Sequence, residues 1–209
     1  MEYRIVRGKR KSLSLTVTRA GEAVVRAPVG YPADKIEAFV AKHLNWIEKR
    51  LQERSAPPLD CAHGSCVSLF GKEYVVDTGK PAVEGGRIYL PAENREEAFC
   101  RLLKKLTFQV MGNMTEQIAN AYEFLYERVR VSSARGRWGS CSRKGTLSYS
   151  FRNAFLSVEL AEYVCVHELC HTQIFNHSAM FWKRVESVLP DYKLRRKKLK
   201  ESGGYMNYL

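Results

Sequence analysis

The segment His167-Glu168-Leu169-Cys170-His171 constrains this chain more than any other feature. At 3.6 residues per turn, two imidazoles four positions apart stand one above the other on a single helix face, where both can grip one ion. Glu168 falls on one flank of that face and Cys170 on the other. The turns upstream, with Leu160, Val164 and Val166, are apolar, as a helix packed into a core requires. Ser157 suits the N-cap, and the pattern predicts a helix through His171 to about Phe175. A further helix is expected after Ser178, stopping before Pro190.

Zinc matches this arrangement because it takes imidazole readily and, with one position left open, lowers the pKa of water from about 15.7 to about 7. A flanking carboxylate, Glu168, then serves as general base. A third protein ligand is needed, and His177 is favoured, since a chain break after Phe175 returns it to the metal with little reach. Glu186 on the following helix is the rival, because two histidines and a glutamate ligate zinc equally well. His43 and His63 lie in the other half and read as ordinary histidines.

The rest of the chain reads as α+β. Ser12 to Thr18 alternates, Arg19-Ala20-Gly21-Glu22 turns, and Ala23 to Arg26 returns, which predicts a hairpin. Ile36, Phe39, Val40, Leu44, Ile47 and Leu51 recur at helical spacing, with Pro57-Pro58 closing the segment. Val67 to Phe70, Tyr74 to Val76 and Arg87 to Leu90 are expected strands around glycine turns. From Arg95 the period changes to that of a long helix, marked by Phe99, Leu102, Leu103, Leu106, Val110, Ile118, Tyr122 and Leu125, with an interruption near Gly112. Val129 and Val131, and then Thr146 to Phe151, predict strands around the loop 135–145. The expected organisation is a β-rich region over 1–92 with one helix, and a catalytic domain over 93–209.

Bulk properties narrow the setting. With 209 residues and 45% hydrophobic content, at least one buried core is expected. No stretch approaches the roughly 20 apolar residues of a membrane span, and Met1 to Leu15 lacks a signal-peptide core. Six dispersed cysteines fit reduced thiols, so a cytoplasmic location is expected and the Asn113-Met114-Thr115 sequon is discounted. The formal charge of +12 is concentrated in Lys193 to Lys200 and in 128–144, a field that attracts polyanions, nucleic acid among them, unless it is simply a solvated helix face.

Several residues have both a functional and a plain structural reading. Trp138-Gly139-Ser140-Cys141-Ser142 is expected to line the cleft with an exposed strand edge able to pair with an extended peptide; the alternative is a glycine turn with a core tryptophan. Tyr149, Arg152, Asn153, Tyr163 and Tyr192 are candidate transition-state donors by residue type. Trp138, Gly139, Ser140, Tyr149, Asn153 and Tyr192 form the expected substrate-binding set. Cys61, His63 and Cys66 offer three ligands for a structural zinc, but with no fourth in view a linker with incidental thiols is the simpler reading.

Trp138-Gly139-Ser140-Cys141-Ser142, His167 to His171, His177-Ser178 with Phe181-Trp182, and Pro190-Asp191-Tyr192 together resemble the YgjP-like metallopeptidase family, related to SprT-like zinc proteases. Lys9-Arg10-Lys11-Ser12-Leu13 and Val25-Arg26-Ala27-Pro28 are similar to that family's opening strands. The resemblance implies zinc on His167, His171 and His177, a catalytic Glu168, and a minimal zincin-like domain with an active-site helix and a small antiparallel sheet. It implies a peptide or protein substrate, and nucleotide phosphoanhydride hydrolysis has also been associated with the family. A DNA-associated protease, or a zinc-stabilised nucleic-acid-binding module, is the remaining reading.

Overall fold

The computed structural model describes residues 2–18, 21–54 and 61–202. Its chain divides into two compact units, Met1–Pro57 and Pro58–Leu209. The first holds β1 (Tyr3–Gly8), β2 (Ser14–Val17), β3 (Ala23–Pro28), α1 (Ala33–Lys42) and α2 (Leu44–Arg54). β3 is central, parallel to β1 and antiparallel to β2. Its small and β-branched side chains Ala23, Val25 and Ala27 pack with Val17, Ile36, Val40 and Ile47 in one core. The β2–β3 pair is the expected hairpin, although Arg19 and Ala20 of its turn lie outside the described residues, as do Pro57 and Pro58.

Two sequence expectations change in this unit. β1 was not anticipated, because its alternation of basic and apolar residues leaves most of the strand exposed. The single expected helix is two, separated at His43, whose Nδ1 lies 2.7 Å from the Phe39 carbonyl and occupies an acceptor that a helix end leaves open.

The second unit begins with β4 (Cys66–Leu69), β5 (Lys72–Thr78), β6 (Ala82–Glu84) and β7 (Arg87–Leu90), arranged in the order β4-β5-β7-β6. Arg95 at the start of α3 (Arg95–Tyr122) donates to the Cys61 and Pro91 carbonyls and to the Thr78 hydroxyl, tying this sheet to the helix. The boundary expected near residue 92 therefore falls inside this unit, between β7 and α3. α3 runs unbroken through Gly112, where a lone glycine costs only about 1 kcal/mol relative to alanine. It ends at Glu123 in the left-handed region, φ 57°, so Leu125 is not helical and stands exposed.

The remaining elements are β8 (Arg128–Ser132), β9 (Gly139–Cys141), β10 (Thr146–Ser150), a 3₁₀ turn (Phe151–Phe155), α4 (Val158–Cys170), α5 (Ala179–Val188) and α6 (Tyr192–Glu201). The fold is α+β as expected, but this sheet is mixed rather than antiparallel. β9 forms a tight hairpin with β10, whereas β8 lies parallel on the other side of β10, because residues 133–138 carry the chain across to the far edge. α4 is buried on nearly every side, against α3, α5, α6 and β9, as a helix apolar all round must be. Among the described residues no helix is long and apolar enough to cross a membrane.

Candidate active site

α4 stops at His171, earlier than the periodicity predicts. The N–H groups of Thr172, Gln173 and Ile174 close it in a turn on the Leu169 and Cys170 carbonyls, Thr172 Oγ1 also donates to the Leu169 carbonyl, and His171 Nδ1 lies 3.0 Å from the Ile174 carbonyl. The chain bends back and Ser178 caps α5 by accepting from the Phe181 N–H, which places His177 beside the end of α4.

The result is a triangle of imidazoles. Nε2 of His171 is 3.2 Å from that of His167 and 3.1 Å from that of His177, and the His167 and His177 atoms are 3.1 Å apart. Tetrahedral ligation at about 2.0 Å separates nitrogen ligands by roughly 3.3 Å, so the triangle has the dimensions of a three-histidine zinc face. His171 Nδ1–H donating to Ile174 leaves its Nε2 lone pair facing inward. Burial, followed by the neighbouring histidines, pushes the His167 pKa down to about 3, and burial also lowers that of His171. Both are thus neutral at ordinary pH, the form in which imidazole ligates a metal. Among the described residues His167 Nδ1 is buried without a hydrogen-bond partner.

An aromatic floor holds the triangle. Phe181, fully buried, stacks on His171 at 4.4 Å and meets His167 and His177 edge-on at 5.0 and 4.9 Å. Trp182 stacks on His177, Tyr192 on Trp182, and the Arg196 guanidinium lies over the Trp182 ring. Ring packing limits rotation of imidazoles that otherwise have few polar restraints.

Glu168 is buried beside them, and burial, opposed by Arg137, pushes its pKa up to about 8. It shares with His167 a cavity of about 270 Å³ lined also by Arg137, Trp138, Gly139 and Tyr163. Gly139 presses on the carboxylate so closely that a Cβ there would lie 2.6 Å from Glu168 Oε1. The strand is fixed from behind, where the Trp138 carbonyl accepts from the Ser150 N–H and from Asn153 Nδ2, each at 2.8 Å. Buried Arg152 donates to the Ser133 and Ala134 carbonyls and secures the approach to β9.

The structure thus gathers His167, His171, His177, Glu168, Trp138 and Gly139. Ser140 belongs to the same strand but to its opposite face. Tyr149 is not in the cleft: its ring is fully buried and its hydroxyl is 2.9 Å from that of Thr115. Asn153 and Arg152 are buried supports, and Tyr192 lies two stacked rings from His167 and His171. Of the candidate donors, Tyr163 lines the cavity, its pKa pushed up to about 12 by burial. Glu186 points to Lys193, 3.7 Å away, outside the histidine cluster. Cys61, His63 and Cys66 form no ligand cluster among the described residues, and His63 pairs with Asp77.

Lys193 to Lys200 is not simply a free basic face. Arg195 reaches from α6 to the Glu162 carboxylate, the Glu159 carbonyl and Asp191, and Leu199 lines the cavity. Sequence reasoning missed Arg137 and the floor role of Phe181. Their signals were adjacency to Trp138 and a four-residue offset from His177 onto the next helix.

Three convergent imidazoles, one of which shares a cavity with a buried carboxylate, are the arrangement expected of a metal-dependent hydrolase. The chain belongs to the YgjP-like metallopeptidase domain family, which matches residues 11–202, and it is a metal-dependent peptidase. A comparison with curated proteins gives no match. Among solved structures, that of the metallopeptidase zymogen of Pyrococcus abyssi abylysin is similar, with a TM-score of 0.41 and 23% identity, over 44% of this chain and 93% of that one.

Proposed function

We propose that this protein is a zinc-dependent peptidase in which His167, His171 and His177 hold the metal and Glu168 is the general base. The convergence of three Nε2 atoms within 3.2 Å of one another, with one of the three, His167, sharing a cavity with a buried glutamate, carries the reading. Zinc bound there would supply Lewis acidity to a water molecule and to a substrate carbonyl. Glu168 accepts the proton of the attacking water and hands it to the leaving nitrogen. A cation beside Glu168 favours its ionised form, opposing the effect of burial.

β9 has one edge paired with β10 and the other free of any strand among the described residues. Its free N–H and C=O groups suit an extended peptide laid alongside the cleft. This edge favours peptide over nucleotide phosphoanhydride as substrate. Trp138 supplies an apolar wall and Tyr163 a hydroxyl for the developing oxyanion. A reducing cytoplasm belongs to the same proposal, supported by six cysteines that remain free thiols.

The test is a parallel screen of zinc-loaded protein on peptides and nucleotides, with Glu168→Gln alongside. Peptide turnover should fall about 100- to 10,000-fold in the variant, with zinc content and melting temperature retained. Full activity with zinc bound would mean that another group is the base.

A further inference from the structure

Alternation along the β8-β10-β9 sheet separates two chemistries. Leu147 and Tyr149 face the core, and Gly139 faces Glu168. Register then places Arg130, Ser148 and Ser140 in one row across the opposite face, with Arg128, Thr146 and Ser142 beside them. A hollow of about 410 Å³ lies on this face, lined by Arg130, Arg137, Ser140, Ser142, Thr146 and Ser148 among others, with no carboxylate in its lining. Glu127 stands at its margin, bonded to the Thr146 hydroxyl and surrounded by Arg128, Lys144 and Arg130. Arg130 and Arg137 make no ion pair among the described residues, and Arg137 lines both this hollow and the Glu168 cavity.

We propose that this hollow is a specificity pocket for an acidic side chain of the substrate, recognised by Arg130 and Arg137 with the serine and threonine hydroxyls between them. The inference rests on the peptidase reading and on a substrate paired with the free edge of β9. Successive side chains of such a strand point to opposite faces of the sheet. When one faces the Glu168 side, its neighbour faces the hollow, where two guanidiniums with no ion pair among the described residues and a row of hydroxyls match a carboxylate in charge and hydrogen bonding.

Zinc-loaded protein is incubated with a proteome-derived peptide library, and cleavage windows are read by mass spectrometry. Asp and Glu should be enriched next to the residue facing the catalytic side. On matched peptides a Glu-over-Gln preference of about fivefold or more in kcat/KM is expected, since each exposed ion pair contributes up to about that factor. That ratio should approach one in the Arg130→Gln/Arg137→Gln double variant, and in the parent protein at about 1 M salt, where screening shortens to about 3 Å. Cleavage without acidic enrichment, or a preference that survives in the double variant, overturns this proposal and leaves the peptidase reading intact. Absence of any peptide cleavage by zinc-loaded protein overturns both. Salt-sensitive binding of a labelled oligothymidylate that the double variant loses, with no acidic preference in cleavage, would assign the face to nucleic acid instead and also overturns it.

Discussion

Gly139 on β9 and Glu168 on α4 are in such close apposition that a Cβ on Gly139 would come within 2.6 Å of the carboxylate oxygen, 2.7 Å of Cγ and 2.9 Å of Cδ. The glycine permits Glu168, the proposed general base, and β9 to occupy adjacent layers. It sets the helix that bears two of the proposed metal ligands, His167 and His171, against the strand proposed to position the peptide.

Gly139→Ala should therefore displace the Glu168 side chain, which has the strand on one side and the core of α4 on the other. A shift of about 1 Å in a catalytic group costs on the order of 100-fold in rate. Turnover on a peptide substrate should fall by about that factor while zinc content is unchanged. Gly136→Ala is the control, because a Cβ there meets nothing within 4 Å. Equal activity of the two variants would show that Glu168 is not confined by Gly139.

His177→Ala should lower zinc affinity by at least about 100-fold, since even changes to groups supporting a ligand cost about 10- to 100-fold. Glu186→Ala should leave affinity unchanged, because Glu186 lies against Lys193 and not in the cluster. Competition with a chromophoric chelator measures both. The reverse result would assign the third ligand to Glu186.

The legible part of this site was the part determined by local spacing. His167, Glu168 and His171 follow from one helical turn, and His177 from a short return loop. Tyr149 misled because alternation shows that Leu147, Tyr149 and Phe151 share a side, without showing that this side is the core. The apposition of Gly139 with Glu168 and the ring stacking on Phe181 depend on how separate elements pack, which no period in the sequence encodes. The early end of α4 was missed for a different reason: backbone turn bonds from residues 172–174 to Leu169 and Cys170, with His171 and Thr172 side chains bonded to nearby carbonyls, close the helix although the apolar pattern continues to Phe175.

The metal-free protein should lose stability as pH rises between about 6.5 and 8. Glu168 ionises near 4.5 when unfolded and near 8 in the fold, so its contribution is full below 4.5 and lost as pH climbs through 8. His167 acts oppositely: its pKa falls from 6.5 to about 3, so its contribution is present above 6.5 and lost as pH drops through 3. Above 6.5 only the glutamate slope remains. Urea midpoints across that window should fall with pH in the parent and less steeply in Glu168→Gln. Identical slopes would mean that the carboxylate is already ionised in the metal-free fold.

The basic segment of α6 should divide by residue rather than act as one patch. Arg195 is only 16% exposed and spans to Glu162, to Asp191 at 2.9 Å and to the Glu159 carbonyl, so it joins α6 to the first half of α4. Hydrogen bonds to charged groups contribute about 1.5–3 kcal/mol each, and removing the guanidinium leaves partly covered carboxylates without a partner. Their exposure limits the loss to about 2 kcal/mol overall, since water screens and solvates what remains. For a chain of this size that corresponds to a fall of roughly 4–8 °C in melting temperature for Arg195→Ala. Lys197, Lys198 and Lys200 project into solvent, and replacing all three with glutamine should leave both melting temperature and turnover on an uncharged peptide unchanged. Calorimetry and peptide assays on the two variants decide the matter. A triple variant as destabilised as Arg195→Ala would show that the charge of the segment as a whole, and not the Arg195 bridge, holds α6 against the active-site helix.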